Sequence, residues 1–584
     1  MSPRLWVRSH WPALLVAFLV GLYSAWPHLR FFFVAGDQFQ GIIGAWNGDW
    51  LYYVARMRDI LDGHWSAAHV YAWEHKDAVN PQLPVAEAFI AGASALFHIR
   101  LPIFQAFLDF VAPTTIAAAF YALLFQLSRN RLFSALSTLL LFTIVSNGLG
   151  KPIHPQISMP ILLPFLVSWM IMLNRFERRE KFPALWFVIA AVCFGASFLI
   201  YFFSWAFLVV VIGTFIGLQL LQRRFRLAGS HVALMGIAGV IGAPYFIAQW
   251  IASHSSSQAE MFVRLGLFHS HMIETIPRTG VALLGLGFFV LFLSRERLWH
   301  DFRGQAVLSL LIANVVFPNH QVITGMIMQN AVHWSFMPVL LYAIASAYVL
   351  GHVSRTPFFL RSREQWAFVG AFVGLIVFPA YRLQTFNGPL YTPAKEAQAL
   401  SWQRYAPLFA FLEEKTPRDS VIFANENLSK LIPAYTHNNV YYVWDMFYLP
   451  GSDEEVMQRY LCSRINMDRT FFQDPTLGIT PNNRPLWTQP GATEMNVHAN
   501  ARRLGFSTQD TYTVKREIAF AQRIAENIKT RAWTCEYLVG TQTKVRLDYV
   551  IWDQKTNPDW NLFNTSKLIE IFRKNDVVLY QVLT

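Results

Sequence analysis

GDWLYYVARMRDILDGH, residues 48–64, is the stretch on which the interpretation of this chain depends. It follows the first long apolar run and predicts a helix over 49–62 that begins at Asp49 and stops at Gly63. Tyr53 and Arg56 follow Asp49 at i+4 and i+7, so the three side chains share a helical face. A carboxylate, a phenol and a guanidinium side by side indicate where chemistry is expected, because the apolar half of the chain is otherwise nearly free of charge.

The composition of the chain indicates a membrane protein. Of its 584 residues 54% are hydrophobic and 14% are charged, whereas soluble domains carry about a quarter charged residues. The net charge of +12 does not indicate a nucleic-acid partner. Residues 385–584 hold 22 basic against 21 acidic residues, and the basic excess lies in short loops between apolar runs. The expected partner is the lipid bilayer.

Eleven apolar runs are candidate membrane spans. Every second loop between them is basic, beginning with Arg129 and Arg131, which places the N-terminus in the cytoplasm. The pattern predicts an α-helical polytopic protein of the plasma membrane, the inner membrane in a bacterium. The long first loop, 30–104, and the C-terminal region then lie on the outer, periplasmic side. A count of ten or twelve spans stays open. The spans are predicted at 11–29, 105–127, 132–148, 157–174, 183–201, 203–222, 229–252, 279–294, 305–317, 334–351 and 366–383.

Residues beyond 384 have the composition of a soluble domain. We predict two domains: a transmembrane domain, 1–384, which includes the first outer loop, and an extracytoplasmic α/β domain, 385–584. In the first loop a second helix, 84–98, is expected on the membrane surface. Cys462 and Cys535 share the oxidising side and are predicted to form a disulfide. In the second domain, helices are predicted near 394–415, 452–465 and 511–532 and strands at 421–424, 440–443, 547–552 and 577–583.

Asp49 has two interpretations. Asp is a favoured N-cap residue, so Asp49 could simply cap the helix. Alternatively it is a catalytic base, since an acceptor hydroxyl needs a carboxylate to take its proton, and Arg56 could stabilise a phosphate leaving group. Asp37 is the other acidic candidate in this loop. Asp37 and Asp49 together could hold a divalent metal such as Mg²⁺ or Mn²⁺, which their spacing does not decide.

Further polar clusters lie in loops assigned to the same side. The stretch 74–77, EHKD, is either a solvated turn or a source of charge for a cavity. The amides and histidines of 151–156 and 319–333 suit the hydroxyls of a sugar or the oxygens of a phosphate. Loop 253–277 is either a solvated connector or a flap. The candidate substrate-binding residues are Asp37, Tyr53, Arg56, Glu74, His75, Lys76, His154, Asn319, His320, Gln321, Gln329 and His333.

This pattern resembles the GT-C glycosyltransferases, in particular uncharacterised bacterial membrane proteins of that kind. The matching residues are Asp49, Tyr53 and Arg56, then 74–77, then 319–325 and 329–334. The resemblance implies a GT-C-like fold and an inverting transferase. Its donor would be a polyprenyl-phosphate-linked sugar, its acceptor a glycan, a lipid or a protein, and Asp49 would lie at the catalytic centre. Many members have an Asp-Glu or Glu-Asp pair where this chain has Gly48-Asp49-Trp50, so metal dependence stays open.

Two other classes compete with a transferase. A transporter or flippase of lipid-linked saccharides would place ionisable groups within its spans, where Asp109 is the main example here. A polysaccharide polymerase or ligase would also use an outer cavity. The short match of Trp444-Asp445 to the WWD tract of oligosaccharyltransferases carries too few residues to assign a function.

Overall fold

Helices make up most of the structure, a computed structural model. It describes residues 3–46, 49–80, 82–145, 151–254, 260–262, 264–265, 267, 269–273, 275–328, 333, 336–354, 363–387, 391–467, 470, 474, 476, 497, 499–503, 505, 513–530, 545–560, 562 and 565–583.

The first part of the chain is a helical bundle. Five of its helices carry a proline in the first turn, where the missing N–H costs no hydrogen bond. The helices are α1 Pro3–Ala35, α2 Trp50–Leu61, α3 Val85–Leu96, α4 Leu101–Ser128, α5 Arg131–Val145, α6 Met159–Glu177, α7 Ala184–Ile200, α8 Phe202–Leu221, α9 Phe225–Ile241, α10 Ala243–Ser253, α11 Ile276–Arg295, α12 Phe302–Val316, α13 Gln321–Thr324, α14 Met337–Val353 and α15 Arg363–Asn387.

A helix overlaps each of the eleven predicted spans, and the predicted helices at 49–62 and 84–98 are confirmed as α2 and α3. Within the described residues, five helices are long and apolar enough to cross a membrane: α1 from His10, α4, α6, α8 and α11. A sixth span results if α9 and α10, bent by 58°, are taken together. Helices α5, α7, α12 and α14 have 15 or 17 residues, fewer than the roughly 20 that a full span requires. The chain is thus helical with several candidate membrane spans. Helix length and composition support five or six of them, not the predicted eleven.

The basic loops meet at one end of the bundle. A cleft there is lined by Arg129 after α4, Arg178 after α6, Arg303 at the start of α12 and His352 near the end of α14. Gln222, after α8, donates a 3.1 Å hydrogen bond to the carbonyl of Trp299. Loops from five helices that the charge pattern assigns to one side therefore contact one another.

The C-terminal region adds a small mixed sheet. The strand order is β2-β1-β3-β5-β4, in which β1 pairs in parallel with β2 and β3, and β5 pairs antiparallel with β3 and β4. The elements are α16 Pro393–Trp402, α17 Ala406–Lys415, β1 Val421–Phe423, α18 Glu426–Tyr435, β2 Asn439–Val440, α19 Asp453–Met467, α20 Thr513–Lys529, β3 Tyr549–Asp553, β4 Leu568–Lys574 and β5 Val577–Val582.

The sequence patterns missed three features of this region. The helix predicted over 394–415 is two helices, separated by a 3₁₀ turn at Gln403–Tyr405. Helix α18 was not predicted, although its Asn425 cap accepts a hydrogen bond from the Leu428 N–H. Strand β4 was not predicted because most of its side chains are exposed or half-buried, so it lacks a buried apolar run. It is joined to β5 by Asn575-Asp576, with Asn575 at a φ of 52°.

The first long loop, 30–104, packs on this region. Helix α2 packs against α18, and the buried residues of both belong to one continuous apolar core. The carbonyl of Tyr71 accepts a 2.9 Å hydrogen bond from the Val440 N–H and so extends the edge of the sheet. The first loop therefore packs on residues 385–584 as well as on the bundle, where α3 contacts α4 and α7.

The cysteine pattern agrees with the prediction as far as the structure describes it. Cys462, in α19, is disulfide-bonded, and Cys193, in α7, is free. Cys535 lies outside the described residues.

Candidate functional site

A cavity of about 490 Å³ lies where the end of the bundle, the first long loop and the C-terminal region meet. Its lining combines charged and aromatic side chains, here called its polar part, with apolar side chains, here called its apolar part. It brings together five of the residues that the sequence singled out. These are Asp49, Tyr53, Arg56, His154 and His333.

Asp49 occupies the N-cap position of α2 without using its side chain as a cap. No described backbone N–H donates a capping hydrogen bond to its carboxylate. That carboxylate instead forms an ion pair with Lys151, and both side chains are partly exposed. The capping interpretation of Asp49 is therefore wrong for the side chain, which faces the cavity in a salt bridge. The reason is tertiary: a cation from a distant loop competes successfully with the local N–H groups.

Lys151 and His154 belong to a compact turn, residues 151–158. Ile153 is fully buried in it with a φ of 65°, a left-handed conformation that is costly for a β-branched residue. The ring of His154 stacks on Tyr201 at 4.1 Å, and its Nδ1 lies 2.6 Å from the hydroxyl of Ser158. Burial, aided by the charge of Lys151, lowers the pKa of His154 well below its usual value. His154 is thus a neutral wall of the cavity at neutral pH.

Arg56 is buried, and its charge is compensated. Its Nε donates to Glu87 at 2.7 Å, and its NH1 donates to the carbonyl of Ala67 at 2.9 Å and to the hydroxyl of Tyr52 at 3.3 Å. Burial opposes the charged form, but Glu87 and Tyr52 outweigh it and raise the pKa of Arg56 above its usual range. Arg56 is therefore a permanently charged structural cation whose carboxylate partner, Glu87, also lines the cavity.

His333 lines the same part of the cavity. Its ring stacks on Phe203 at 4.5 Å, and the hydroxyl of Tyr201 lies 3.3 Å from its Nδ1. Burial, together with the nearby charge of Lys151, lowers the pKa of His333 to about 4. Both cavity histidines are therefore uncharged near pH 7.

The C-terminal region supplies a third carboxylate, Asp445, to the cavity, beside Asp49 and Glu87. Burial raises the pKa of Asp445, the cation of Lys430 at 3.5 Å lowers it, and the negative charge of Asp49 raises it further. Tyr448, on the same 3₁₀ turn, stacks on Tyr52 of α2 at 5.6 Å. The polar part of the cavity thus contains carboxylates from the first loop and from the C-terminal region.

The loop before α11 contributes Met261, Phe262, Leu265 and Leu267 to the apolar part of the cavity, beside apolar residues of α8 and of the loop after α13. Fully buried Arg264 holds this loop to the C-terminal region by an ion pair with Asp453 and a 2.7 Å hydrogen bond to the carbonyl of Gly451. Of the two interpretations left open for loop 253–277, these contacts favour a cover over the cavity.

The remaining predicted site residues that the structure describes lie elsewhere. Asp37 is exposed beyond α1 and is not among the described residues that line the cavity. Asn319 accepts from Thr279, Gln321 donates to the carbonyl of Met272, and His320 precedes α13. In that loop the cavity is lined by Met326 and Met328. Gln329 lies outside the described residues.

The 74–77 cluster connects the first loop to the C-terminal region. Glu74 accepts from Arg459 at 2.6 Å, and His75 lies 2.9 Å from Glu455. Lys76 bridges Asp59 of α2 and Asp419, at 2.6 and 2.8 Å. Glu74, His75 and Lys76 are thus engaged within the protein and do not line the cavity, whereas Asp77 is exposed to solvent.

A divalent metal finds little support in the described residues. No group of three or more His, Cys, Asp or Glu side chains there is placed to hold an ion. Asp37 is not at the cavity, and the carboxylate of Asp49 is engaged by Lys151. We therefore derive no step through a metal.

Three charged residues of the cavity were not among the sequence candidates: Lys151, Asp445 and Glu87. Lys151 lies in the polar loop 151–156, and the Trp444-Asp445 motif is too short to assign a function. Glu87 had a usable signal, since it is the only acidic residue of a helix that is otherwise apolar. No protein-family model and no curated protein sequence matches this chain.

Proposed function

We propose that this protein is a membrane glycosyltransferase of GT-C type. It would move a sugar from a lipid-phosphate donor to an acceptor hydroxyl at the outer face of the membrane. The observation that carries the proposal is the Asp49–Lys151 ion pair in a cavity with a polar part and an apolar part. A lipid-linked sugar phosphate has the same two-part character.

In this proposal each polar group has a role in an inverting displacement. The acceptor oxygen attacks the anomeric carbon, the bond from that carbon to the phosphate oxygen breaks, and Asp49 takes the acceptor proton. Lys151 stabilises the charge that develops on the departing phosphate. Arg56, the candidate that the sequence suggests for this role, is hydrogen-bonded to Glu87, so Lys151 is the better candidate.

The apolar part would receive the first isoprene units of the donor. Met261, Met328 and Leu267 offer flexible apolar contacts, and methionine adapts well to irregular surfaces. The aromatic rings of Tyr52, Tyr448 and others would stack on the sugar. Eleven spans, a cytoplasmic N-terminus and an outer C-terminal region complete the proposed topology. The segregation of basic loops at one end of the bundle supports it.

The test is transfer from a radiolabelled polyprenyl-phosphate sugar in membranes that contain each variant at equal amounts. Asp49→Asn keeps the size of the side chain and removes the base, and we expect a loss of about 10²-fold or more. The matched control is Asp37→Asn, an exposed carboxylate of the same loop away from the cavity, which should transfer normally. Wild-type transfer by Asp49→Asn would refute the assignment. Movement of the lipid-linked sugar across the membrane without transfer would favour the transporter alternative.

A further inference from the structure

Asp109 is a buried carboxylate that the proposed chemistry does not use. It lies in the outer third of α4 and is 2% exposed. A carboxylate in such surroundings is costly unless hydrogen bonds compensate for its lost hydration. Its Oδ2 lies 2.7 Å from Nε2 of His28 in α1, and its Oδ1 accepts a 2.7 Å hydrogen bond from the side-chain amide of Gln156. Both partners are also buried.

The direction of these hydrogen bonds follows from donor chemistry. The indole of Trp46 can only donate, and it donates to Nδ1 of His28 at 3.1 Å. Nδ1 therefore carries no proton, so the proton of the ring is on Nε2 and points at Asp109. On the other side, Gln105 donates to the amide oxygen of Gln156 at 2.6 Å, which leaves the NH₂ group of Gln156 for Asp109. Two hydrogen-bonded arms, Trp46–His28 and Gln105–Gln156, thus converge on the carboxylate of Asp109.

The two arms begin next to the two members of the site's ion pair. Trp46 lies three residues before Asp49, and Gln156 lies five residues after Lys151. The N–H of Gln156 also bonds the carbonyl of Lys151 at 3.3 Å, which closes the turn. Asp49 and Lys151 belong to different loops, so their pairing requires both loops to be fixed against a common element.

We propose that Asp109 is a positioning residue that holds the Trp46 and Gln156 segments in register, so that Asp49 and Lys151 meet. The inference rests on the proposed function only for what that ion pair does in the reaction. In Asp109→Asn, one acceptor oxygen becomes an NH₂ group that opposes a donor, either His28 or Gln156. One arm must then detach, and the ion pair loosens.

The test measures the ion pair itself, without a transfer assay. The full-length protein in detergent is acetylated briefly with an N-hydroxysuccinimide ester, and the modification of Lys151 is quantified by mass spectrometry against the exposed Lys415. We expect Lys151 to react about threefold faster in Asp109→Asn, as in Asp49→Asn, because a lysine released from a partly exposed ion pair loses modest stabilisation of its charged form.

The matched control is His231→Gln. His231 is also a buried histidine that accepts an indole hydrogen bond, from Trp169 at 2.9 Å, but it lies in α9 and has no contact with the site in the described chain. Its substitution should leave Lys151 unchanged, and an equal increase there would overturn the proposal.

A second, milder variant tests the proposal even if Asp109→Asn misfolds. Trp46→Phe removes the N–H donor to His28 and leaves the buried carboxylate intact. It should raise the reactivity of Lys151 in the same direction. Unchanged reactivity in Trp46→Phe, or in a folded Asp109→Asn, overturns the proposal. Because acetylation needs no substrate, this result is independent of whether the protein transfers sugar.

Discussion

Asp49 and Lys151 show how one side chain can be diverted from a local role. The N-cap position gives an acidic side chain a local set of partners, the first N–H groups of the helix. In this protein the side chain turns to a cation in another loop. A charged partner gives a stronger hydrogen bond than a neutral N–H, so the carboxylate of Asp49 pairs with Lys151 and does not cap the helix. Asp49→Asn therefore removes the proposed catalytic base with little effect on the start of α2.

Lys151 should contribute mainly to donor binding and turnover. We expect Lys151→Gln to lower kcat/KM for a lipid-phosphate sugar at least about tenfold, because the departing phosphate loses its cation. Lys151→Arg keeps the charge and should recover part of the rate. The control is Lys415→Gln, an exposed lysine on α17. Equal rates in Lys151→Gln and the wild type would assign the phosphate to another cation.

His333 should make the fold sensitive to acid. Its pKa is about 4 in the folded protein, against roughly 6.5 when unfolded. The unfolded state therefore binds more protons between these values, and stability is lost as the pH falls from about 6.5 to 4. The loss from this group is at most about 3.5 kcal/mol, at ~1.4 kcal/mol per pKa unit.

Thermal unfolding in detergent at several pH values checks this. The melting temperature of the wild type should fall more steeply between pH 6.5 and 4 than that of His333→Gln. The melting temperature of His333→Gln should still fall with falling pH, because the pKa of His154 is lowered too. Parallel curves for the two proteins would contradict the assignment.

At the scale of elements, the cavity depends on the loop before α11. The described residues of the segment 260–267 supply a share of its apolar part. Arg264 holds it against the turn before α19 through Asp453 and backbone carbonyls, and Glu260 accepts a 2.6 Å hydrogen bond from the Asp453 N–H. A planar guanidinium can serve several acceptors at once, which an ammonium cannot.

Substitution of Arg264 should open the apolar part of the cavity. Arg264→Gln leaves Asp453 with a weaker partner, and we expect a stability loss of about 3 kcal/mol and a higher KM for the lipid-linked donor. Arg264→Lys should be intermediate. The control is Arg58→Gln, which removes the partly exposed pairs to Asp62 and Glu413 and should cost about 1 kcal/mol or less. An unchanged KM for the donor in a folded Arg264→Gln would contradict the role of the loop.

At the scale of the whole molecule, the first loop and the C-terminal region form one body above the bundle. The core they share is continuous, and the pairs of Glu74, His75 and Lys76 connect them. The cavity lies below this body, where it meets the bundle. A site of this kind needs both parts on the same side of the membrane.

The topology can be tested with two reporter fusions at Thr584. A reporter that is active only in the cytoplasm should be silent, and one that is active only in an oxidising compartment should work. The prediction follows from the alternation of basic loops, which meet at the end of the bundle that carries Arg178 and Arg303. Cytoplasmic activity at Thr584 would place the cavity on the other side and remove the proposed donor from reach.

The sequence by itself determined the local and periodic features of this protein. The apolar runs predicted helices at the right places, and the 48–64 stretch predicted α2 with Tyr53 and Arg56 on the face that lines the cavity. Such features depend on neighbours three or four residues away, which a sequence displays directly. Strand β4 was not predicted because most of its side chains are exposed or half-buried, and helix α18 was not predicted because its buried face packs on the distant helix α2.

Only the tertiary structure decided which polar groups meet. It paired Asp49 with Lys151, committed Arg56 to Glu87, placed Asp445 in the cavity and assigned the 74–77 cluster to an internal contact. Each of these pairings joins residues far apart in the chain. A charged side chain has the same local signal in a solvated turn, a salt bridge or a cavity. Its role is set by the dielectric and by the partner that folding brings to it, neither of which is present in the local sequence.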